Sequence, residues 1–384
     1  MGWLRSENRS LFSDGSLGVD ELFISKPGRQ TLSAKLEYRR PLGDHLYLES
    51  GVSKRRRVLT NSSDPLFRYD EDLLAIHASF RYHRSNHLLE FGTRVEDMEY
   101  FLPQGVIKMQ RTPSQTVQFH YRSSVTRPWW GHLIPRPSFL DPLTIGYGNP
   151  GLRPERHHYA AFELTRILGN SFIAAEVYHR RTGDAAGRTG ELLDNQLVKT
   201  QMKQLGRLHE YGFRLSASVN IRDRVTVNPY ARYYLVSSLG NATAKSLGLK
   251  NRSCSSADMG LSAAAMLSES FSAAFQIQYA GPVTHFFEQT YSSALYFISL
   301  NKSFGAGFQA GLVTGLPLAR SFVYDGSEFR GSGFHNHHKG MIQMSAVPVW
   351  FTLNYRFSSG ESRKRIERER EEMENPIRKP GLRI

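Results

Sequence analysis

The chain has 384 residues, 49 Lys and Arg against 35 Asp and Glu, a formal net charge of +14 and a mean hydropathy of −0.42. It holds no apolar run of about 18 residues, which excludes a transmembrane helix but not transmembrane strands, whose two faces average out. Its one cysteine, Cys254, excludes an intrachain disulfide and any metal site built from several cysteines.

Residues 1–29 are weakly patterned, with Gly and Ser-Asp turn formers and room for a ragged strand. From Gln30 the alternation is clean. Leu32, Ala34, Leu36 and Tyr38 share one face, and Thr31, Ser33, Lys35 and Glu37 the other. A period of two marks a strand with two different faces. Pro41-Leu42-Gly43-Asp44 reads as a tight turn, His45–Arg55 as the returning strand and 56–72 as a long polar loop. Leu73–Arg84 and His87–Met98 form a hairpin about Ser85-Asn86. A shorter strand, Gly105–Thr112, precedes the turn at Pro113-Ser114. Gln115–Thr126 alternates again, with Val117, Phe119 and Tyr121 apolar.

The period is lost at Arg127-Pro128-Trp129-Trp130. It returns after Gly148-Asn149-Pro150-Gly151-Leu152-Arg153-Pro154-Glu155, in a strand that ends at the turn Leu168-Gly169-Asn170. Ser171–Arg181 follows, then a long loop over 182–207. Leu208–Asn220 places Tyr211, Phe213, Leu215, Ala217 and Val219 on one face, with Arg214 and Ser216 on the other. Arg222-Asp223 leads into Arg224–Ser237, and 238–254 reads as a Ser/Gly/Asn loop holding Cys254 in an exposed setting. The remaining strands are Ser255–Leu267, Ser270–Ala280, Tyr291–Ser303, Gly305–Leu316 and Ile342–Phe357, with a loop over 317–341.

Short turns alternate with long loops along the whole chain. That asymmetry, with strands of about 10–13 residues, is the pattern of an outer-membrane barrel rather than of a sandwich. The expectation is an all-β, antiparallel transmembrane β-barrel of about 15–16 strands over 30–357, open or imperfectly closed. A charged periplasmic tail over 358–384 completes the chain. Glu361–Glu374 has helical composition, but its charges oppose the helix dipole at both ends, so the tail should be frayed and exposed. Loops 56–72, 127–154, 182–207, 238–254 and 317–341 should lie outside the cell and the short turns in the periplasm.

The motif loop has a mechanical logic. Gly148 and Gly151 can adopt positive φ, Asn149-Pro150 starts a turn, and Pro154 fixes φ just before a strand. The order strand, Arg127-Pro128, long loop, GNPGLRPE, strand resembles the barrel part of TonB-dependent outer-membrane receptors. Those receptors carry a Gly-Asn-Pro-x-Leu-x-Pro-Glu segment in this setting. The likeness continues at YHRRTGD (178–184), EYGFRLSASV (210–219) and VWFTLNYRF (349–357), and covers most of 30–360. The matching residues here are Arg127, Pro128, Gly148, Asn149, Pro150, Leu152, Pro154 and Glu155.

The resemblance implies a location in the outer membrane of a Gram-negative bacterium, with lipid and lipopolysaccharide around the barrel. It also implies insertion by the barrel-assembly machinery, which reads a final strand ending in an aromatic residue. A 22-stranded relative with an N-terminal plug would contact a TonB-type partner through that plug. No secretion signal opens this chain, so it reads as the C-terminal part of a longer precursor or as a gene with a misplaced start. The function implied is uptake of an unidentified solute. The alternative is a smaller porin-like channel or surface-binding protein without energised transport.

No hydrolase, P-loop, zinc-protease or dinucleotide fingerprint occurs, so the chain reads as a non-enzyme without a cofactor. The basic charge is scattered along strands and loops without a nucleic-acid-binding motif, so nucleic acid is not expected as a partner. A basic lumen, or loops facing lipopolysaccharide or an anionic solute, accounts for it. Three features invite a ligand. Trp129 and Trp130 can stack on one or pack the loop against the rim. His335, His337 and His338 carry imidazoles but have no spaced carboxylate or Cys partner to complete a metal site. His157 and His158 point to opposite faces of a strand and cannot easily share one.

Overall fold

The structure is a computed structural model. It describes residues 8–12, 21–25, 27–61, 64–135, 137–141, 143–193, 197–305, 307–315, 321–331, 333–343 and 348–357. Asn8–Phe12 (β1) pairs with Glu21–Ser25 (β2) as a separate two-stranded sheet. The barrel wall begins at Pro27–Pro41 (β3) and continues through Leu46–Asn61 (β4), Asp64–Arg84 (β5), His87–Glu96 (β6), Tyr100–Thr112 (β7) and Gln115–Thr126 (β8). A 3-10 turn, Trp130–His132, and the short strands Pro137–Asp141 (β9) and Thr144–Tyr147 (β10) fill the following loop. Then come Glu155–Leu168 (β11), Ser171–Leu192 (β12), Val198–Ile221 (β13) and Val225–Gly240 (β14).

A one-turn helix, Ala242–Ser246 (α1), is capped by the Asn241 side chain, which accepts from the Ala244 amide at 2.9 Å. Arg252–Ser268 (β15) and Phe271–Ala280 (β16) return to the wall. Val283–His285 (β17) and Glu288–Thr290 (β18) leave it, and Ser293–Ser303 (β19) and Phe308–Gly315 (β20) rejoin it. Ser321–Gly331 (β21) and Phe334–Gln343 (β22) complete a four-stranded sheet with β17 and β18, and Val349–Tyr355 (β23) is the last wall strand.

The wall is an antiparallel meander rolled into a barrel. Among the described residues fifteen strands pair in sequence, from β3 to β8, then β11 to β16, β19, β20 and β23. No register joins β23 to β3 among those residues, and every residue of β23 is exposed, so the wall keeps one seam.

Apolar side chains face outward. Phe80, Phe91, Phe119, Phe162, Val177, Phe213 and Tyr233 are all exposed. Their strand neighbours Ser79, Glu176 and Tyr178 are buried toward the interior. That inversion of the globular rule is what a lipid solvent selects. Tight hairpins set the register. Ser85, Arg222, Asp223 and Gly169 all take positive φ, as two-residue hairpin turns require. A small packed core sits at the long-loop rim, where Ala185, Leu205, Ala244, Leu249 and Phe286 meet.

Several expected boundaries move. The loops predicted over 56–72 and 182–207 are mostly strand, with ladders running from Arg56↔Asp72 to Thr60↔Arg68 and from Ala185↔Gly206 to Leu192↔Val198. Their polar composition hid the strands, because these stretches stand beyond lipid. There cross-strand ion pairs such as Lys54–Asp72 at 2.9 Å replace apolar alternation. The strand read as Gly105–Thr112 starts earlier, at Tyr100. Residues expected as loop in 317–341 form β21 and part of β22, and the last wall strand starts at Val349 rather than Ile342.

Cys254 lies within β15 and is half-buried, its sulfur accepting from the Thr284 amide at 3.4 Å, so it is not an exposed loop residue. Gly148 and Gly151 do not take positive φ. Gly148 is required by space instead, since a Cβ there would stand 2.0 Å from the Ile134 carbonyl oxygen. The tail over 358–384 lies outside the described residues, as does most of 1–29.

Candidate functional site

The motif loop folds against the rim. Beyond Gly206, β13 has lost its neighbour β14 and presents a bare edge. The short strand β10 covers that edge, pairing in parallel from Thr144↔Val198 to Tyr147↔Gln201. The GNPGLRPE segment is then fastened to the same overhang. Asn149 Nδ2 donates to the Met202 carbonyl at 3.0 Å, and its Oδ1 accepts from the Gly151 amide at 3.0 Å. Gln201 donates to the Gly148 carbonyl at 3.1 Å and Gln204 to the Arg153 carbonyl at 2.9 Å. Leu152 is buried, and Glu155 Oε1 accepts from the Ala186 amide at 2.7 Å. Pro150 and Pro154 bracket the turn and the start of β11.

Arg127, at the other end of the loop, is held by three carboxylates: Glu96 at 2.7 Å, Glu71 at 3.1 Å and Asp97 at 3.3 Å. Pro128 follows it and leads into the 3-10 turn. Trp129 and Trp130 pack on each other at 5.1 Å, and Trp129 meets His132 edge-on at 5.2 Å. Burial holds the His132 imidazole below its ordinary value, so the ring is neutral near neutral pH. The tryptophans therefore form part of the loop's own packing, with Trp129 still 43% exposed.

Inside the barrel, facing residues build a ladder of charges and tyrosines. Tyr159 donates to Glu176 at 2.8 Å, and Arg214 pairs with the same carboxylate at 3.0 Å. Tyr178 donates to Glu210 at 2.6 Å, and Arg232 bridges Glu210 at 3.5 Å to Asp258, which its Nε reaches at 3.1 Å. Tyr159 and Tyr178 stack at 5.6 Å, and Arg232 lies over Tyr234 at 4.2 Å. A second group lines the rim, where Arg57 meets Glu71 at 3.1 Å and Arg94 meets Glu96 at 2.7 Å. Among the described residues, nothing accepts from the buried Nε atoms of Arg55 and Arg57.

The three histidines marked in the sequence as ligand-facing lie on β22. His335 pairs with Glu328 at 2.9 Å and His337 stands by the Tyr291 ring at 5.3 Å, while His338 occupies the next position along β22. No group of three metal-ligating side chains occurs among the described residues. His157 turns inward to Thr182 and Thr126, and His158 outward to Tyr121. The interior ladder was missed from sequence apart from Arg214. Its one signal is a charged residue at matching positions of successive strands, which is invisible until the register is known.

The profile of the outer membrane protein beta-barrel family matches residues 7–307. The chain belongs to that family. Its place is therefore the outer membrane of a Gram-negative bacterium. Among solved structures this barrel is similar to a variant of the ferric enterobactin receptor PfeA from Pseudomonas aeruginosa. That match has a TM-score of 0.62 and 11% identity, over 88% of this chain and 55% of that one. It is also similar to the FrpB iron transporter from Neisseria meningitidis, with a TM-score of 0.59 and 11% identity over 88% and 56%. The copper transporter OprC gives a TM-score of 0.62 and 12% identity over 90% and 59%. At such identities the likeness is one of fold, and the chain spans a little over half the length of each. Among curated proteins nothing matches the chain.

Proposed function

We propose that the chain is the barrel wall of a TonB-dependent receptor, and that its rim and lumen take up an anionic solute such as a metal chelate. The reading is supported by the family and by the fold shared with iron and copper receptors. The observation that carries it is the rim cluster. Arg55 and Arg57 both pair with Glu71, yet among the described residues nothing accepts from their buried Nε atoms, at the end of the lumen where the motif loop is fastened. An unmet buried donor costs about 1–3 kcal/mol, and an anion accepting from it removes that cost. Energised uptake would then come through a plug domain and its TonB-type partner, and insertion through the barrel-assembly machinery. No enzymatic step belongs to this reading.

The test is solute binding to the full chain refolded in detergent, with ferric catecholate chelates, ferric hydroxamate chelates and Cu(II) as probes. Saturable binding of one probe is expected, weakened at least tenfold by joint Arg55→Ala and Arg57→Ala replacement. A porin-like channel would instead bind none of them and give steady ion conductance in planar bilayers, unchanged by the two replacements.

A further inference from the structure

The rim cluster holds more positive charge than its carboxylates answer. Val52 and Ile76 point outward, so Arg55 and Arg57 of β4 and Glu71 of β5 alternate to the interior, where the register sets Arg57 directly opposite Glu71. Three guanidiniums share the Glu71 carboxylate: Arg57 at 3.1 Å, Arg127 at 3.1 Å and Arg55 at 3.7 Å. Its Oε1, the oxygen nearest Arg55 and Arg127, is buried and has no hydrogen-bond partner among the described residues, so it holds both by charge alone. Arg127 has two further carboxylates, Glu96 and Asp97, and Glu96 also serves Arg94. Arg29 stands within electrostatic reach of Arg57 and has no carboxylate partner among the described residues.

Five guanidiniums therefore meet three carboxylates, which leaves two positive charges unanswered among the described residues. The excess is local. Arg94 and Arg127 are matched by Glu96 and Asp97, while Arg29, Arg55 and Arg57 are left with Glu71, on which Arg127 also draws. Titration divides along the same line. Burial pulls the Arg57 guanidinium below its ordinary value, and the Glu71 charge does not restore it. Burial acts on Arg127 in the same direction, but its hydrogen bond to Glu96 and the charges of all three carboxylates lift it above its ordinary value. Little water reaches the excess, since the side chains of Arg57 and Glu71 are 11% and 9% exposed. A charge left unmatched there costs far more than one at an open surface.

We infer, on the anion uptake proposed above, that this site is matched to a solute bearing two negative charges, and that Glu71 sets that number. A dianion answers both unmatched guanidinium charges, and its oxygens can accept from the two buried Nε atoms. A monoanion answers one charge and leaves one buried cation unpaired. A neutral chelate answers neither, and a metal cation adds to the excess. Discrimination then comes from what the wrong solute leaves unpaired as much as from what the right one gains. Glu71 behaves as an anion built into the wall. Removing its charge raises the excess to three, and removing one arginine lowers it to one, so the preferred charge of the solute should follow the count.

Binding to the full chain refolded in detergent is measured by calorimetry at low salt with butyrate, succinate and tricarballylate. These carry one, two and three carboxylates, all ionised at about pH 8. The proteins are the wild type, Arg57→Ala, Glu71→Gln and Asp184→Asn. The last removes a rim carboxylate that pairs with Arg153 outside the cluster, and Asn tolerates the positive φ of that position. Heat-modifiability on gels checks that all four are folded. The wild type is expected to bind succinate at least tenfold tighter than butyrate, and tricarballylate about as tightly as succinate. Arg57→Ala should bind butyrate and succinate alike. Glu71→Gln should bind tricarballylate at least tenfold tighter than succinate, a gain that damage to the wall does not produce. Asp184→Asn should keep the wild-type ranking. Equal binding of butyrate and succinate by the wild type overturns the charge match and leaves anion uptake standing. An unchanged ranking in Arg57→Ala or Glu71→Gln, or a changed one in Asp184→Asn, does the same. Binding of none of the three anions by the wild type overturns anion uptake itself, and the charge match with it.

Discussion

Two neighbouring residues of β13 report the solvent on each face of the wall. Leu215 is 42% exposed and points outward, while Ser216, one residue on, points inward. An arginine near the bilayer midplane on the lipid face costs about 2–4 kcal/mol. Leu215→Arg should therefore reduce the folded fraction recovered in vesicles, and Ser216→Arg should leave it near the wild type. Heat-modifiability on gels after refolding measures both, and equal losses would mean that the register is wrong. Gly148 makes a different demand, since its missing Cβ lets the Ile134 carbonyl approach. Gly148→Ala should cost about 1–3 kcal/mol of loop docking, as overpacking does. The result to look for is faster proteolysis within 137–147 while the barrel stays folded. Arg127 and Asn149 stood out in the sequence by type and order. Their partners Glu71, Glu96 and Met202 did not, because they come from strands distant in sequence.

At the scale of elements, alternation was readable wherever a strand met lipid on one side, as in β8, β11 and the second half of β13. It failed where both faces meet water. Arg56, Asp70 and Asp72 look like a polar loop in sequence, yet they are outward rungs of a ladder. The same blindness hid the four-stranded rim sheet. Within it Glu328 accepts from Tyr291 and Arg330 and pairs with His335. Those hydrogen bonds, Tyr291's first, push its carboxyl down from 4.5 to about 2. A depressed carboxylate stabilises the folded form above its unfolded value, and the contribution is lost as pH falls through the folded one. The sheet should therefore hold at about pH 5 and loosen toward about pH 2. Hydrogen exchange in 321–331, corrected for the intrinsic rate, is expected to rise over that interval in the wild type. In Glu328→Gln it should already be fast at the upper end.

For the whole molecule, the sequence alternation of short turns and long connections predicts the sidedness of the wall. The short turns at 85–86, 169–170 and 222–223 share one end, and β9, β10, α1 and the four-stranded sheet gather at the other. Protease added to intact cells should cut within 193–197 or 241–251 and spare 222–223. Preferential cleavage at 222–223 would invert the orientation.

The hairpin of β12 and β13, 22 and 24 residues long, reaches farther than any lipid contact requires. At about 3.3 Å per residue and a tilt of about 40°, Arg181 stands about 25 Å from the short turns, the height of the apolar band. From there to its tip at Leu192 the hairpin climbs about eleven more residues, or about 28 Å. At physiological ionic strength a surface charge is felt over about 8 Å. The tip thus stands several screening lengths above the anionic leaflet, with Lys199 over the Tyr147 ring at 5.1 Å and Lys203 nearby on β13. An anion approaching from the medium would meet these cations before it entered the diffuse layer that repels it. The rate of encounter is then set by charges the protein carries. It should rise or fall with Lys199 and Lys203 and stay indifferent to the lipid composition of the membrane below.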